Sequence, residues 1–485
     1  MLDRTVIAVP LLTRLAGEDA ARAADPRQEP IVYSVIIDAN LAYGEGREGA
    51  RQRIRQLVGE IVSEPGSAPG EGVNNAKTDV SQQYVFAQLQ GRAIRELVRR
   101  DAAGGGQRAI YHIWPDFPVK ALLIKSVRTV KADAAMASFS AFGEDITWAV
   151  LDSGIDAGHR HFKAHRNVST GLDEDFTGGS QPLVDNFGHG THVAGIIAGE
   201  ARAPTGRNRT EGPLRAFSRY RDEHGEIKYE TLELDGICGM APRAKLVSMK
   251  VLDEHGDGLA SNLITALEKI QQINGNGRWL RIHGVNMSVG YDFEPEWFAC
   301  GQSPLCVEVD RLVRSGVVVV VAAGNTGYGW AQSEARGAVT AGLDLTINDP
   351  GNAELAITVG STHRDMPHVY GVSYFSSKGP TGDGRPKPDL VAPGEKILSC
   401  AAGEKRADAQ SKIGVDCDYV EDSGTSMAAP HVSGVIAAFL SVRREYIGQP
   451  ESVKEIFLGT ATDLKRDRSF QGRGLVDLMR AIQSV

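Results

Sequence analysis

The sequence predicts an α/β fold, with a parallel sheet sandwiched by helices, preceded by a small α+β unit. Three observations carry this. Val317 to Ala322 is an unbroken apolar, mostly β-branched run (VVVVVA), the pattern of a strand buried on both faces of a parallel sheet. From residue 118 onward, strand-like and helix-like segments alternate, which implies a parallel sheet with helices on both faces. Residues 30–117 instead follow the order β-α-(β)-β-α-β, a split βαβ pattern.

Within 30–117, Ile31 to Ile37 (IVYSVII) is a strand rich in β-branched residues. Gly49 to Glu64 is an amphipathic helix, with Ile54, Leu57, Val58, Ile61 and Val62 at helical spacing. Residues 65–82 are rich in Gly, Pro, Ser and Asn and read as a loop that hides at most a weak strand. Tyr84 to Leu89, Gly91 to Arg100 and Ala109 to Trp114 complete the unit as strand, helix and strand.

In the larger unit, 118–485, strands are expected at 147–151, 245–252, 284–287, 317–322, 355–359 and 397–400. Helices are expected at 189–199, 259–273, 307–314 and 426–440, with two more at the C-terminus. Residues 201–235 are polar and charged with little periodicity, so they read as an insertion on the surface.

The composition, 42% hydrophobic and 24% charged over 485 residues, is that of a globular chain and excludes a fully disordered, collagen-like or coiled-coil protein. A net charge of −8 argues against nucleic acid as a partner. No run approaches the ~18 uninterrupted apolar residues of a transmembrane helix, so no membrane partner is expected. The N-terminus fits a secretory signal poorly. Asp3 stands beside Arg4, and Arg14, Glu18 and Asp19 follow a short apolar stretch interrupted by Pro10. Residues 1–29 therefore read as a mobile arm or a first strand, and the chain as cytoplasmic.

Three segments pair a reactive side chain with glycines. Asp152 ends the strand-like AVLDSG, and an acid at the C-terminal end of a buried strand is where α/β sheets place functional groups. His189 opens the helix-like GHGTHVAG, and Ser426 opens another in DSGTSMAAPH. A serine hydroxyl is a poor nucleophile without a general base. Histidine serves near neutral pH, and a buried carboxylate sets its tautomer. The chain order Asp, His, Ser is one of the known orders of this constellation. Taken singly, each segment has a plain structural reading: a turn Asp, a metal-binding His pair (His189 and His192), a helix-capping Ser. The His pair lacks the Glu of an HExxH zinc site. A dinucleotide-binding fold is disfavoured because no G-x-G-x-x-G follows the first strand.

HGTHVAG, GTSMAAPHVSG and LDSGID closely resemble the active-site segments of the subtilisin-like serine peptidases, the subtilases, over roughly residues 118–485. The resemblance implies a subtilisin-like fold and an endopeptidase with Asp152, His189 and Ser426 as catalytic triad, acting on a protein or peptide substrate. It makes His192 a packing residue. It also implies Asn325, at the end of the VVVVVA run, as an oxyanion donor, because an amide there can hydrogen-bond the developing alkoxide. Ser288, Val289 and Gly290 resemble one wall of the primary pocket. Asp257, Gly258 and Leu259 resemble the edge segment that pairs with substrate backbone. The pocket floor is expected between Gly342 and Gly351. A transpeptidase or macrocyclase on the same triad, or a non-catalytic peptide-binding protein, remain the alternatives.

The chain departs from the family pattern in three places. Where many calcium-binding subtilases carry an Asp nine residues after the catalytic Asp, this chain has His161, a poor ligand for an oxygen-seeking cation. The matching calcium loop is displaced by the 201–235 insertion, so no metal or other cofactor is expected. The loops holding Cys300/Cys306 and Cys400/Cys417 are longer than the family's and are expected near the catalytic face, where they restrict access. Either cysteine pair can close a disulfide in an oxidising compartment and is reduced in the cytosol. Finally, the 30–117 unit resembles, in element order, the ferredoxin-like propeptide of subtilases. It is expected to act as an intramolecular inhibitor and folding assistant, with cleavage between Lys120 and Lys125.

Overall fold

The computed structural model describes residues 6–25, 27, 30–103, 107–116, 125–203, 212–222, 224–293, 296, 299–333 and 337–485. The chain divides into two compact units, Met1–Ala121 and Leu122–Val485.

The first unit is a four-stranded antiparallel sheet in the order Gly72–Val73, Tyr84–Gln90, Val32–Ala39, Ile110–Pro115. Helices Gly46–Val62 and Gly91–Ala103 cover it. Val35 and Ile37 alternate inward along the central strand and meet Ile54, Leu57 and Val58 of one helix and Ile94 and Leu97 of the other. The 65–82 stretch holds the two-residue Gly72–Val73 strand.

The arm expected over residues 1–29 is instead largely a helix, Val9–Ala24, and the expected strand shrinks to one parallel bridge between Ile7 and Ile113. Leu11 and Leu15, one helical turn apart, are fully buried in the unit's core. Glu18, one of the charges that suggested a solvated arm, is itself buried and accepts the Ile31 N–H at 2.9 Å. A helix with so narrow an apolar stripe is visible only once its docking face is known.

The second unit holds a seven-stranded parallel sheet in the order Leu390–Glu395, Ile357–His363, Val318–Ala322, Gly284–Met287, Thr147–Asp152, Lys245–Lys250, Glu174–Asp175. Strand alternation divides its residues between two cores. Trp148, Val150, Val318 and Val320 pack with the Thr425–Val442 helix on one face. Ala149, Leu151, Val319 and Val321 pack with helices Ala260–Ile273 and Pro304–Arg314 on the other. Each large side chain so buried contributes roughly 1.5–3 kcal/mol, which is why these strands read as continuous apolar runs. The Thr425–Val442 helix is long and apolar enough to cross a membrane, yet 83% of it is buried inside the fold.

The 201–235 insertion is more ordered than its sequence suggests. Its described part forms an antiparallel hairpin, Leu214–Arg221 with Ile227–Leu234. Ala216 and Phe217 pair in parallel with Tyr419 and Val420. With Ile397–Cys400 and Tyr419–Asp422 the hairpin makes a four-stranded sheet. The loop between Cys400 and Cys417 supplies a helix, Gly403–Ile413, and Phe217, Ala401, Ala409, Cys417 and Val420 form a small core of their own. Periodicity fails over 227–233 because those residues are almost all exposed. The 201–235 insertion and the Cys400–Cys417 loop thus build one module.

Candidate active site

Asp152 is the last residue of the Thr147–Asp152 strand and is 1% exposed. His189 opens the His189–Ile197 helix. Two glycines allow the helix to start there. Gly188 sits at φ 89°, a left-handed conformation, with the Ala402 carbonyl 2.2 Å from where a Cβ would lie. Gly190 packs so closely on the strand end that a Cβ would meet the Gly154 carbonyl at 2.2 Å. The result is a 2.7 Å contact between His189 Nδ1 and Asp152 Oδ1. A carboxylate only accepts, so Nδ1 carries the proton and Nε2 is the free basic nitrogen. Burial pushes the His189 pKa down, but the charge and hydrogen bond of Asp152 outweigh it and hold the imidazole above its ordinary value.

Asp185 was not anticipated from sequence. It is buried, and its two carboxylate oxygens accept from Ser153 Oγ (2.8 Å), Gly188 N (2.7 Å), Thr191 N (2.8 Å) and Thr191 Oγ1 (2.6 Å). Ser153 Oγ in turn accepts the Gly190 N–H at 2.9 Å. Asp185 therefore ties the residue after Asp152 to the residues around His189. Burial raises its pKa despite these four donors.

Ser426 lies in the first turn of the Thr425–Val442 helix, where unpaired N–H groups and the helix dipole favour negative charge. Its hydroxyl donates to the Ser288 carbonyl at 3.0 Å. Asn325 follows the Val318–Ala322 strand by three residues. Thr425 N and Thr425 Oγ1 both donate to Asn325 Oδ1, at 2.9 and 3.1 Å. The amide oxygen is consumed, so Nδ2 is left to donate, with no acceptor among the described residues.

One cleft of about 540 Å³ gathers His189, Asn325 and Ser426 with all six residues expected to bind substrate: Asp257, Gly258, Leu259, Ser288, Val289 and Gly290. Asp152 sits behind His189. Of the expected floor between Gly342 and Gly351, only Asn348 lines the cleft. Phe187, not foreseen, also lines it, its ring 6.4 Å from that of His189.

The remaining sequence candidates sit elsewhere. His192 is buried, its Nε2 donates to the Val420 carbonyl at 3.0 Å, and burial lowers its pKa to about 4. His189 and His192 thus engage different partners. His161 is also buried and pushed to about 3, chiefly by burial, with Nε2 donating to the Gly195 carbonyl (3.2 Å) and Nδ1 facing Tyr419 Oη (3.3 Å). Among the described residues no group of three or more His, Cys, Asp or Glu side chains is placed to hold a metal ion. The five cysteines are unbonded thiols.

Residues 143–475 match the family model described as "Subtilase family". The chain belongs to the subtilase family. Among curated proteins, this subtilase is 30% identical to serine protease AprX of Bacillus subtilis (strain 168) over 351 residues, 70% of this chain and 66% of AprX. It is 30% identical to the major intracellular serine protease of the same organism over 338 residues, 69% of this chain and 80% of that protein. Pyrolysin of Pyrococcus furiosus is 32% identical over 328 residues, 61% of this chain and 21% of pyrolysin. The subtilase thus spans just under two thirds of AprX and about a fifth of pyrolysin.

Proposed function

We propose that this subtilase is a serine endopeptidase. The observation that carries the reading is the 2.7 Å Asp152–His189 contact at the edge of a cleft that also holds Ser426 and an Asn325 amide with its oxygen already committed. In this mechanism Ser426 Oγ attacks the scissile carbonyl carbon while His189 Nε2 takes its proton. Asn325 Nδ2 and the Ser426 N–H donate to the oxyanion of the tetrahedral intermediate. The imidazolium, stabilised by Asp152, then passes its proton to the leaving amine, and the acyl-enzyme forms. Water attacks the ester by the same route in reverse. The substrate backbone lies along Gly256–Leu259 and Ser288–Gly290, strand addition that reads peptide shape more than sequence.

The first unit is read as the intramolecular inhibitor and folding assistant of the second. Its four-stranded antiparallel sheet covered by two helices supports this. The expected cut between Lys120 and Lys125 falls on residues 117–124, outside the described residues.

The test is hydrolysis of a fluorogenic peptide library by wild type, Ser426→Ala and His189→Ala. Each single variant loses essentially all turnover, and the double variant is no worse, because triad members act as a unit. Turnover by Ser426→Ala within tenfold of wild type contradicts the assignment. Ligated or cyclic products instead of hydrolysed ones select the transpeptidase alternative.

A further inference from the structure

The module built from the 214–234 hairpin and the Gly403–Ile413 helix encloses a second groove, of about 250 Å³, beside the catalytic cleft. One loop lines both cavities: Thr425 and Ser426 line the cleft, and Asp422 and Ser423 line the groove. Ser426 lies three positions after Ser423, so their Cα atoms are at most about 11 Å apart, the span of about three extended residues. The module also packs directly against the base. A Cβ at Gly188, the residue before His189, would lie 3.2 Å from Lys405 Cβ.

These placements give the groove a side of the reaction. The edge segments Gly256–Leu259 and Ser288–Gly290 and Asn325 all line the cleft, so on the peptidase reading the acyl half of a substrate occupies it. On the same reading the leaving half extends from Ser426 the other way, toward residues 422–425.

The charges of the groove are unevenly spent. Its carboxylates are all paired: Asp422 with Lys405, Asp408 with Lys412 at 2.6 Å, and Glu421 with Arg364 at 2.6 Å. Two cations that line it, Arg219 and Lys396, are exposed, and neither guanidinium nor ammonium has a carboxylate partner among the described residues. Arg219 comes from the hairpin and Lys396 from the turn before Ile397–Cys400, so only the assembled module brings them to one groove.

We propose that this groove is a subsite for acidic side chains on the leaving side of the scissile bond, an inference that rests on the peptidase reading. Arg219 and Lys396 supply the attraction, and the ion pairs around them keep the groove's own carboxylates from competing. A lysine or arginine of the substrate is repelled at the same position.

The experiment uses full-length enzyme and two kinds of substrate with one shared acyl half. A p-nitroanilide has no leaving-side residues and reports the cleft and triad alone. A series of internally quenched peptides carries Glu, Gln or Lys at each of the first four leaving-side positions. Wild type should show a Glu-over-Lys ratio in kcat/KM of roughly tenfold at one of these positions, the size expected of two exposed charge contacts that attract one residue and repel the other. The ratio should shrink as ionic strength rises. In Arg219→Glu, Lys396→Glu and the double variant it should fall and then invert. Because the readout is a ratio within one enzyme, any loss of folded protein cancels. A ratio near one at all four positions in wild type overturns the inference, as does a preference that the double variant retains. Turnover of the p-nitroanilide with a flat leaving side contradicts this inference alone, whereas a chain that cleaves neither substrate contradicts the peptidase reading and this subsite with it.

Discussion

Ser288 and Ser426 are hydrogen-bonded to each other twice. Ser426 Oγ donates to the Ser288 carbonyl at 3.0 Å, and Ser288 Oγ donates to the Ser426 carbonyl at 2.8 Å. Behind them, Asn286 Nδ2 donates to Ser288 Oγ at 2.9 Å and Ser433 Oγ to Asn286 Oδ1 at 2.8 Å. A buried polar relay thus runs from the sheet and the central helix to Ser426. Ser288→Ala keeps the carbonyl but leaves the buried Asn286 amide short of an acceptor. The expected cost is about 1–3 kcal/mol of stability, read by urea unfolding, with turnover reduced less than in Ser426→Ala.

Asn325→Ala should lower kcat by roughly 10²–10³-fold with little change in KM, the size such a donor has in a subtilisin. In the proposed mechanism Nδ2 meets the oxyanion and not the ground-state carbonyl. Steady-state kinetics on one peptide decide it. A variant with raised KM and intact kcat would place Asn325 in substrate binding instead.

The pH profile follows from the histidines. As the proposed general base His189 must be neutral to accept a proton, and Asp152 holds its pKa above the ordinary value. The acid limb of kcat/KM should therefore have its midpoint above about 6.5. The charge of Lys405 lowers the His189 pKa while Asp422 raises it, so Lys405→Ala should move that midpoint upward. Stability behaves oppositely for His161, His192 and His431, which burial depresses to about 3, 4 and 4. Below about 6.5 the unfolded chain binds protons that these folded histidines refuse. Their contribution is complete above that pH and is lost as pH falls toward 4, by up to about 1.4 kcal/mol per pH unit for each histidine. Urea unfolding at stepped pH measures it.

Chelation provides a separate check. The resemblance to the subtilases puts His161 where a calcium-ligand Asp is expected, and its ring is committed to Gly195 and Tyr419. EDTA should leave the melting temperature nearly unchanged. A large drop that calcium restores would show an ion bound by another loop.

If the first unit is a propeptide as proposed, its removal should depend on Ser426. Intact mass after purification should show a wild-type catalytic fragment beginning between Lys120 and Lys125, and an uncut Ser426→Ala chain. If both remain full length and wild type is active, the first unit is an accessory domain and not a propeptide.

The candidate-site segments were legible in sequence because each carries its own context within about ten residues. Asp152 ends an apolar strand, and His189 and Ser426 open helices beside glycines. The parallel sheet was legible for a similar reason, since burial on both faces leaves an unbroken apolar run such as Val317 to Ala322. Tertiary structure alone decided the features whose partners lie far apart in the chain. Asp185 matters because Ser153, Gly188 and Thr191 converge on its carboxylate, and no local pattern records that convergence. The Val9–Ala24 helix shows its apolar face only against the sheet it covers. The module beside Ser426 joins a hairpin near residue 217 to a strand near residue 420. Most of its outer strand faces solvent, so no hydrophobic alternation announced it, and its charges acquire a direction only once both segments stand beside the nucleophile.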